Sequence, residues 1–229
     1  MSNVCIIPAR GGSKRIPRKN VRLFRGRPMM TWSVEAAVAS GCFDVIMVST
    51  DDDEIAEQAQ RAGAQVPFRR SARTSDDHAT TSDVLTEVLA EFSASGQTFH
   101  AACCLYATAP FVQAGHLVAG LQRLDESGAG VVMPVVPFDY PIWRSLRKTG
   151  DGRVEMIYPQ YRQSRSQDLE AAYHDVGQWY WFRPQVLRRD GTLMGDSTIP
   201  FELPAWAAQD IDTEDDWRAA EWKHERMFG

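Results

Sequence analysis

Cysteine is scarce in this chain, and its placement excludes the sites that cysteine usually builds. The 229 residues contain four cysteines, Cys5, Cys42, Cys103 and Cys104. They form no Cys-x-x-Cys pair, which argues against a zinc ribbon and against a thioredoxin-like redox site. Three of them lie in or beside apolar segments, so we expect buried free thiols rather than disulfides or a metal site.

Long hydrophobic runs are missing too. No segment approaches the roughly 18 consecutive apolar residues of a membrane-spanning helix, and the first residues, M-S-N-V, do not begin a secretory signal. With 44% hydrophobic and 24% charged residues, the composition is that of a globular protein. We therefore expect a cytoplasmic protein without a membrane partner.

Several familiar cofactor and reaction motifs are absent. The chain has neither the G-x-x-x-x-G-K-[ST] sequence of a Walker P-loop nor the G-x-G-x-x-G sequence of a dinucleotide-binding loop. Its five histidines form no spaced ligand set, and no nucleophilic triad is evident. An NAD-dependent oxidoreductase is thus disfavoured, and the net charge of −5 argues against a nucleic-acid partner.

Positive charge is nevertheless concentrated near the amino terminus. Eight Lys or Arg residues and no Asp or Glu lie from Arg10 to Arg27, after the apolar segment C-I-I-P. Gly11 and Gly12 can take positive φ and let backbone N–H groups approach an anion closely. The charge-assisted donors beside them are Lys14, Arg15 and Lys19. This pattern predicts a polyphosphate site; a solvated loop or a nucleic-acid patch is the weaker alternative, because the run is short and the chain is acidic.

Apolar runs alternate with helical patterns along most of the chain, which predicts a Rossmann-like α/β fold with a mainly parallel sheet flanked by helices. Strands are predicted at 4–8, 45–49, 101–106 and 130–136, and helices at 29–39, 53–62, 82–93 and 114–126. The glycines expected to end these helices are Gly41, Gly63, Gly96 and Gly128. Residues 137–172 break the alternation with three prolines and little periodicity, and a small inserted arm is predicted over 137–175.

The segment P-A-R-G-G-S-K-R-I-P-R-K-N, residues 8–20, resembles the signature loop of the CMP-sialic acid synthetase family, the acylneuraminate cytidylyltransferases. The resemblance spans nearly the whole chain and implies a single nucleotidyltransferase domain over 1–229 that joins CTP to a nonulosonic acid. It also implies a Mg²⁺ cofactor, a homodimer, and an arm that contributes to dimerisation and to the sugar site. A 3-deoxy-octulosonate cytidylyltransferase fits less well, since that branch has a P-A-R-Y-x-S-x-R-L-P loop.

The resemblance implies roles for individual residues. The implied catalytic residues are Arg10, Lys14, Lys19, Asp210 and Asp212. The implied nucleotide-binding residues are Ala9, Arg10, Gly11, Gly12, Ser13, Asn20, Arg70, Ala79 and Thr81. The segment 66–81 departs from the family's R-P-x-E-L pattern, and Arg70 rather than Arg69 is matched by counting back from S-D-D at 75–77. A solvated charged loop remains the alternative there.

The segment Y-A-T-A-P-F at 106–111 stands where the family has L-Q-P-T-S-P, and it resembles the branch that activates pseudaminic acid, as does the segment 165–181. An aromatic face at Tyr106 suits a sugar with a deoxy methyl end, although Tyr106 could instead pack the end of a strand. The implied sugar-binding residues are Tyr106, Thr108, Arg144, Arg165 and Gln178. The two arginines are candidates for the sugar carboxylate, because guanidinium groups bind carboxylates through two hydrogen bonds. N-acetylneuraminate and legionaminate are the alternative sugars.

The segment D-I-D-T-E-D-D-W at 210–217 carries both a candidate metal site and a helix start. In an extended segment Asp210 and Asp212 face one side and Ile211 the other. Paired carboxylates suit Mg²⁺, and the resembled family has its metal ligands at these two aspartates. Thr213 and Asp216 predict a capping box for a helix over 214–227, although Asp212 as the cap is an alternative. Similarly, Thr50 or Asp51 is expected to cap the helix at 53–62.

A protein that keeps the fold but only binds a nucleotide or a CMP-sugar is the alternative of a different class. The presence of Lys14, Lys19, Asp210 and Asp212 argues against it. A chain without catalysis would be expected to lose such strongly repelling or metal-demanding groups first.

Overall fold

A seven-stranded mixed sheet lies at the centre of the molecule. The structure is a computed structural model that describes residues 2–229. The strands are β1 (Asn3–Pro8), β2 (Leu23–Phe24), β3 (Arg27–Pro28), β4 (Val45–Ser49), β5 (Ala101–Leu105), β6 (Val131–Pro137), β7 (Leu146–Lys148), β8 (Val154–Met156), β9 (Tyr173–Asp175), β10 (Trp179–Phe182) and β11 (Thr198–Glu202). The helices are α1 (Met29–Ser40), α2 (Asp53–Arg61), α3 (Ala72–Ser75), α4 (Thr81–Ala94), α5 (Ala114–Ser127), α6 (Pro184–Asp190) and α7 (Glu214–Phe228).

The strand order across the sheet is β11-β6-β10-β5-β1-β4, and β9 pairs with the end of β6. β1 runs parallel to β4 and β5, and β11 runs parallel to β6, whereas β10 is antiparallel to both of its neighbours. The predicted α/β class, with parallel strands flanked by helices, is therefore confirmed. The four predicted strands are β1, β4, β5 and β6, and the predicted bounds of these strands and of α1, α2, α4 and α5 are within one residue of those observed.

Hydrophobic side chains pack on both faces of the sheet, because successive residues of a strand point to opposite sides. In β1, Cys5 and Ile7 join the cluster on one face, and Val4 and Ile6 join the cluster on the other. Helices α1 and α5 cover the first face, and α4 and α6 cover the second. Burial on both sides explains why the sequence of β1 is a continuous apolar run.

A third hydrophobic cluster joins the amino-terminal basic run to helix α7. Its buried members are Ile16, Phe24, Met29, Phe111, Ile211, Trp217 and Ala220. Ile16 lies in the middle of the basic run, and Ile211 lies between the two candidate metal ligands. Burial of both isoleucines in one cluster holds residues 10–20, which we call the basic loop, against residues 210–212.

The backbone of the basic loop has a positive φ at an arginine and not at a glycine. Neither Gly11 nor Gly12 has a positive φ, whereas Arg18 does, at 56°. Gly11 is restricted by a close approach instead, since a Cβ atom built there would lie 2.8 Å from Asp52 Oδ2. At the helix ends the prediction is confirmed, because left-handed glycines follow α1 and α5 at positions 41 and 128.

The cap of α2 was predicted wrongly. Asp52, rather than Thr50 or Asp51, is the cap, and its Oδ1 accepts the Ile55 N–H at 3.0 Å. Asp51 Oδ1 instead accepts the backbone N–H of Gly11 at 2.9 Å and so braces the basic loop. Helix α7 begins with the predicted capping box of Thr213 and Asp216.

Residues of the predicted arm form local structure of their own. β7 and β8 make an antiparallel hairpin outside the main sheet, and β9 returns the chain to β6. Single 3₁₀ turns lie at Ile142–Arg144, Pro159–Tyr161 and Ser166–Asp168.

Two sequence-based expectations concern the molecule as a whole. The four cysteines are free thiols, as predicted, and three of them are buried. Within residues 2–229, no helix combines the length and the apolar character needed to cross a membrane.

Candidate active site

The carboxyl ends of β1 and β5 open into a cavity of about 450 Å³, which we call the main cavity. Ligands of open α/β sheets bind at this edge. The predicted site residues that the basic loop brings to the cavity are Arg10, Ser13, Lys14, Lys19 and Asn20. Those that line it from elsewhere in the chain are Arg70, Ala79, Thr81, Tyr106 and Thr108.

Asp77 holds two of the cavity's cations. Its carboxylate forms an ion pair with Arg10 Nη1 at 3.0 Å and a second ion pair with Lys14. Arg10 Nη1 also donates to the carbonyl oxygen of Asp76 at 2.9 Å. The hydrogen bond and the charge of Lys14, and to a smaller extent those of Arg10, hold the pKa of the Asp77 carboxyl below its usual range. A phosphate group entering the cavity therefore competes with Asp77 for these cations.

Lys19 and Arg15 meet the segment before α7. Lys19 Nζ donates to the carbonyl oxygen of Ile211 at 2.6 Å and lies 3.5 Å from Asp212 Oδ1. Arg15 Nη1 lies 2.5 Å from Asp212 Oδ2. These contacts follow from the shared burial of Ile16 and Ile211, which brings the two segments together. Asp212 thus lies at the cationic rim of the main cavity.

Asp210 and Asp212 are the candidate metal ligands. Asp210 is exposed and Ile211 is buried, a pattern expected when both carboxylates point away from the core. Among residues 2–229, no group of three or more His, Cys, Asp or Glu side chains could hold a metal ion. Mg²⁺ commonly takes one or two protein carboxylates and completes its shell with water and phosphate oxygens. The two aspartates fit that donor set, provided that nucleotide phosphates join them.

Arg70 lies in the wall of the main cavity, whereas Arg69 does not line it. Arg70 is 9% exposed and donates through Nη2 to the carbonyl oxygen of Thr74. Its Nε is buried without a hydrogen-bond partner among the described residues. Burial lowers the pKa of the guanidinium, which stays a cation at neutral pH. Arg69 instead pairs with Asp53 on the surface.

Tyr106 separates the main cavity from a second cavity of about 250 Å³, which we call the side cavity. Its hydroxyl lies 2.8 Å from Thr81 Oγ1, and its ring meets that of Tyr180 edge-on at 5.7 Å. Burial raises the pKa of Tyr106 to about 12, so its hydroxyl stays protonated at neutral pH. Tyr106 therefore belongs to the lining of both cavities.

Several predicted site residues lie outside the main cavity. Arg165 forms a two-pronged ion pair with Asp168 on the arm, at 2.7 and 3.1 Å. Arg144 lies on the same arm, 3.4 Å from Ser166 Oγ. The remaining residues that do not line it are Asp210 and Asp212 in the segment before α7, Ala9 and Gln178, both buried, and Gly11 and Gly12 in the basic loop.

Sequence reasoning missed two carboxylates that line the cavities, Asp77 and Asp175. Asp77 was available as an acid in a loop expected to bind a nucleotide, but nothing local marks it as the partner of Arg10 and Lys14. Asp175 lies in the segment 165–181 that carries the resemblance, but nothing local gives it a role, because its place beside the side cavity depends on the pairing of β9 with β6.

An open α/β sheet whose strand ends carry a cationic cavity is suited to bind a phosphorylated ligand. The similar proteins described next narrow this to one class, and the protein is a nucleotidyltransferase. The cytidylyltransferase family model matches residues 4–143, and the chain belongs to this family. The resemblance seen in the basic loop is thereby confirmed.

Similar proteins cover the chain almost completely. The pseudaminic acid cytidylyltransferase of Campylobacter jejuni is 38% identical over 216 residues, which are 94% of this chain and 93% of the relative. The CMP-N,N'-diacetyllegionaminic acid synthase of Legionella pneumophila is 30% identical over 230 residues, 96% of this chain and 95% of the relative. A structure of CMP:2-keto-3-deoxy-manno-octonic acid synthetase complexed with CTP has a TM-score of 0.73 over 99% of both chains, at 19% identity, which shows a shared fold.

Proposed function

We propose that this protein joins CTP to a nonulosonic acid, with pseudaminic acid favoured, and releases pyrophosphate and the CMP-sugar. The observation that carries the proposal is the convergence of five cations on the main cavity, Arg10, Lys14, Arg15, Lys19 and Arg70. A triphosphate needs this degree of charge neutralisation, and phosphoryl transfer depends chiefly on it and on positioning. Similarity to a pseudaminic acid cytidylyltransferase over 94% of the chain supports both the nucleotide and the class of sugar.

The basic loop holds the triphosphate and the departing pyrophosphate. Arg10, Ser13, Lys14 and Lys19 line the cavity with side-chain donors. The N–H groups of Ala9 and Gly11 donate to the Ser49 carbonyl oxygen and to Asp51 Oδ1, both at 2.9 Å, so these two residues shape the loop rather than donate to a phosphate. The nucleoside is bound by Asn20, Arg70, Ala79 and Thr81, which line the main cavity. The unpartnered Nε of Arg70 supports this role, because a nucleotide oxygen can accept its buried hydrogen.

The reaction is a displacement at phosphorus. The anomeric hydroxyl oxygen of the sugar bonds to the α-phosphorus, and the bond from that phosphorus to its bridging oxygen breaks. The hydroxyl proton passes to solvent, and pyrophosphate leaves with the bond electrons. Lys14 and Lys19 stabilise the charge that develops on the leaving oxygens.

We propose that Asp210 and Asp212 hold Mg²⁺ together with the nucleotide phosphates. When bound, this ion supplies Lewis acidity that neutralises phosphate charge and lowers the pKa of the attacking hydroxyl. Arg15 and Lys19 hold the Asp212 carboxylate at the rim of the main cavity.

The side cavity, which shares Tyr106 and Thr81 with the main cavity, is the proposed place for the body of the sugar. Tyr106 and Thr108 line the passage. Gln178 supports it indirectly, since its backbone carbonyl accepts the Tyr106 N–H at 2.8 Å. N-acetylneuraminate and legionaminate are the alternative sugars for the same reaction, the second supported by the Legionella relative.

Pyrophosphate release tests the proposal. Purified protein is given CTP and Mg²⁺ with pseudaminic, legionaminic or N-acetylneuraminic acid, and kcat/KM is measured for each. We expect the highest value with pseudaminic acid, and a preference for N-acetylneuraminate would contradict the sugar assignment. Tight CTP binding without pyrophosphate release from any of the three would favour a non-catalytic binding protein.

We further propose a homodimer formed through the arm, within a single nucleotidyltransferase domain over 1–229. In the β7–β8 hairpin, Leu146 pairs with Met156 and Lys148 with Val154, so these residues share one face. Three of these four side chains are apolar, and Leu146 and Val154 are 58% and 61% exposed, so a partner can cover this face. A cytoplasmic location belongs to the same proposal and is supported by the four free thiols, which suit a reducing compartment.

A further inference from the structure

The side cavity has one charged side chain among its described lining residues, Asp175. Much of the remaining wall is apolar, formed by Met133, Leu193 and Met194. A carboxylate beside three hydrophobic side chains can accept a hydrogen bond from a ligand whose adjoining part is apolar.

Two hydrogen bonds hold the Asp175 carboxylate in place. Oδ1 accepts the backbone N–H of Gly177 at 2.8 Å, and Oδ2 accepts the hydroxyl hydrogen of Tyr180 at 2.6 Å. Tyr180 is itself 7% exposed and packs edge-on against Tyr106. A carboxylate has about four acceptor positions, so each oxygen can still accept a hydrogen bond from a ligand.

The two cavities carry opposite charge. Cations dominate the main cavity, whereas the side cavity presents the anion Asp175. A sugar acid that spans both is attracted with its carboxylate towards the cations and is repelled in the reverse orientation. The end that reaches Asp175 must therefore be neutral or cationic, and it must carry a hydrogen-bond donor.

An acylamino group meets these requirements. Its N–H can donate to the carboxylate, and its acyl methyl can pack against Met133, Leu193 or Met194. We infer that Asp175 selects and orients the sugar by accepting a hydrogen bond from an acylamino N–H at the end remote from the sugar carboxylate. The inference rests on the proposed function, because it names the group of the nonulosonic acid that the side cavity takes. Asp175 touches no reacting atom and is a specificity residue.

The test compares two sugars that differ at the acylamino groups. One is pseudaminic acid with its acetamido groups, and the other is the same sugar with free amines, whose ammonium groups make a stronger contact with a carboxylate. The quantity measured is the ratio of kcat/KM for the amine to kcat/KM for the acetamide. Replacing Asp175→Asn should lower this ratio by about tenfold, because the variant loses a charge-assisted hydrogen bond.

Two further variants make the result specific. Asp175→Glu keeps the charge and should keep the ratio close to that of the wild type. Asp125→Asn, on helix α5, is the control and should leave the ratio unchanged, because Asp125 pairs with Arg183 and does not line the side cavity. The KM for CTP should be the same in all four proteins.

The outcomes separate this inference from the proposed function. If the wild-type protein uses neither sugar nor any other nonulosonic acid, the proposed function fails and the inference fails with it. If the wild type is active but Asp175→Asn lowers kcat/KM for both sugars by the same factor, Asp175 only supports the fold. The inference is then overturned while the proposed function stands. The inference would also be overturned if Asp175→Asn changed neither kcat/KM value. A fall of the amine-to-acetamide ratio in Asp175→Glu as large as that in Asp175→Asn would overturn it too.

Discussion

Lys19 is the least exposed of the four basic-loop cations that line the main cavity, with 17% of its side chain accessible. Its ammonium is fixed by the Ile211 carbonyl and by Asp212. A cation held in place in a partly dehydrated wall stabilises the charge that develops in a transition state, and no reorganisation is needed when that charge appears. We therefore expect Lys19 to act on turnover and not on CTP binding alone.

The first prediction is that Lys19→Ala lowers kcat by about 100- to 1,000-fold, the range found for the loss of one preorganised donor. Lys14→Ala should also lower kcat by a large factor. Steady-state kinetics with CTP varied separates kcat from KM. Arg27→Ala is the control, because Arg27 belongs to the same basic run but pairs with Glu35 at 2.7 Å and does not line the cavity. A rise in the KM for CTP alone would make the loop a binding element only.

The second prediction concerns the two aspartates before α7. Asp210→Asn and Asp212→Asn should each lower turnover on the order of 100-fold at limiting Mg²⁺, because one anionic ligand is lost. The half-saturating Mg²⁺ concentration should rise, which a displaced Lys19 alone would not cause. Asp215→Asn is the matched control, since its side chain is 91% exposed. Near-normal turnover of both variants at low Mg²⁺ would show that the metal lies elsewhere.

Among the secondary-structure elements, those with a local signal were predicted and those that depend on distant partners were not. β1 and β4 are apolar runs that end at polar turns, and both were found. β10 was missed because Trp179–Phe182 is a run of only four residues that follows the irregular arm, and an apolar run this short does not distinguish a strand from other buried structure. Its position is set by long-range pairing, with Trp181 opposite Cys103 on one side and Val132 on the other.

The candidate site divides in the same way. The cations were predictable, because charge density in a short run is a local property. Their partners were not, since Asp77 is 63 residues from Lys14 and Asp212 is 197 residues from Arg15. The choice of Asp52 over Asp51 as a cap is decided by the backbone at the end of β4, and three consecutive aspartates give no sequence signal for it.

Helix α7 docks through a histidine in an aromatic cluster. The His224 ring lies 4.5 Å from that of Trp32 and 4.7 Å from that of Phe228, centroid to centroid. Burial, followed by the charges of Arg25 and Arg27, holds the pKa of His224 below its usual value of 6.5. The unfolded chain therefore binds this proton at a higher pH than the folded chain does. As the pH falls below about 6.5, the free energy of unfolding therefore decreases.

The third prediction follows from this linkage. As the pH is lowered through about 6.5, the wild-type melting temperature should fall more steeply than that of His224→Phe. The difference corresponds to a loss of unfolding free energy of at most about 1.4 kcal/mol per pH unit. The pKa of His116 is also lowered by burial, but it titrates in both chains and cancels in the comparison. Parallel melting curves for the two chains across this pH range would contradict the prediction.

At the scale of the whole molecule, the arm and the main cavity are separate parts of one protomer. Arg144 and Arg165 were predicted to meet the sugar carboxylate, yet both lie on the arm and neither lines the main cavity. The proposed homodimer reconciles these placements if the arm of one protomer reaches the main cavity of its partner. Arg165 would then exchange the carboxylate of Asp168 for that of the sugar.

The last prediction is that two inactive variants restore each other's activity. Arg165→Ala damages the arm and Asp212→Asn damages the core, so a mixed dimer contains one site with an intact core and an intact arm. Random reassociation of equal amounts should recover about a quarter of the wild-type activity, because half of the C₂ dimers are mixed and each has one working site. Mixing Lys19→Ala with Asp212→Asn is the control, since both damage the core and no mixed site is complete. Pyrophosphate release measured before and after reassociation decides the matter. A failure to recover activity would place the arm's contribution within its own protomer, and an active Arg165→Ala would remove Arg165 from the sugar site.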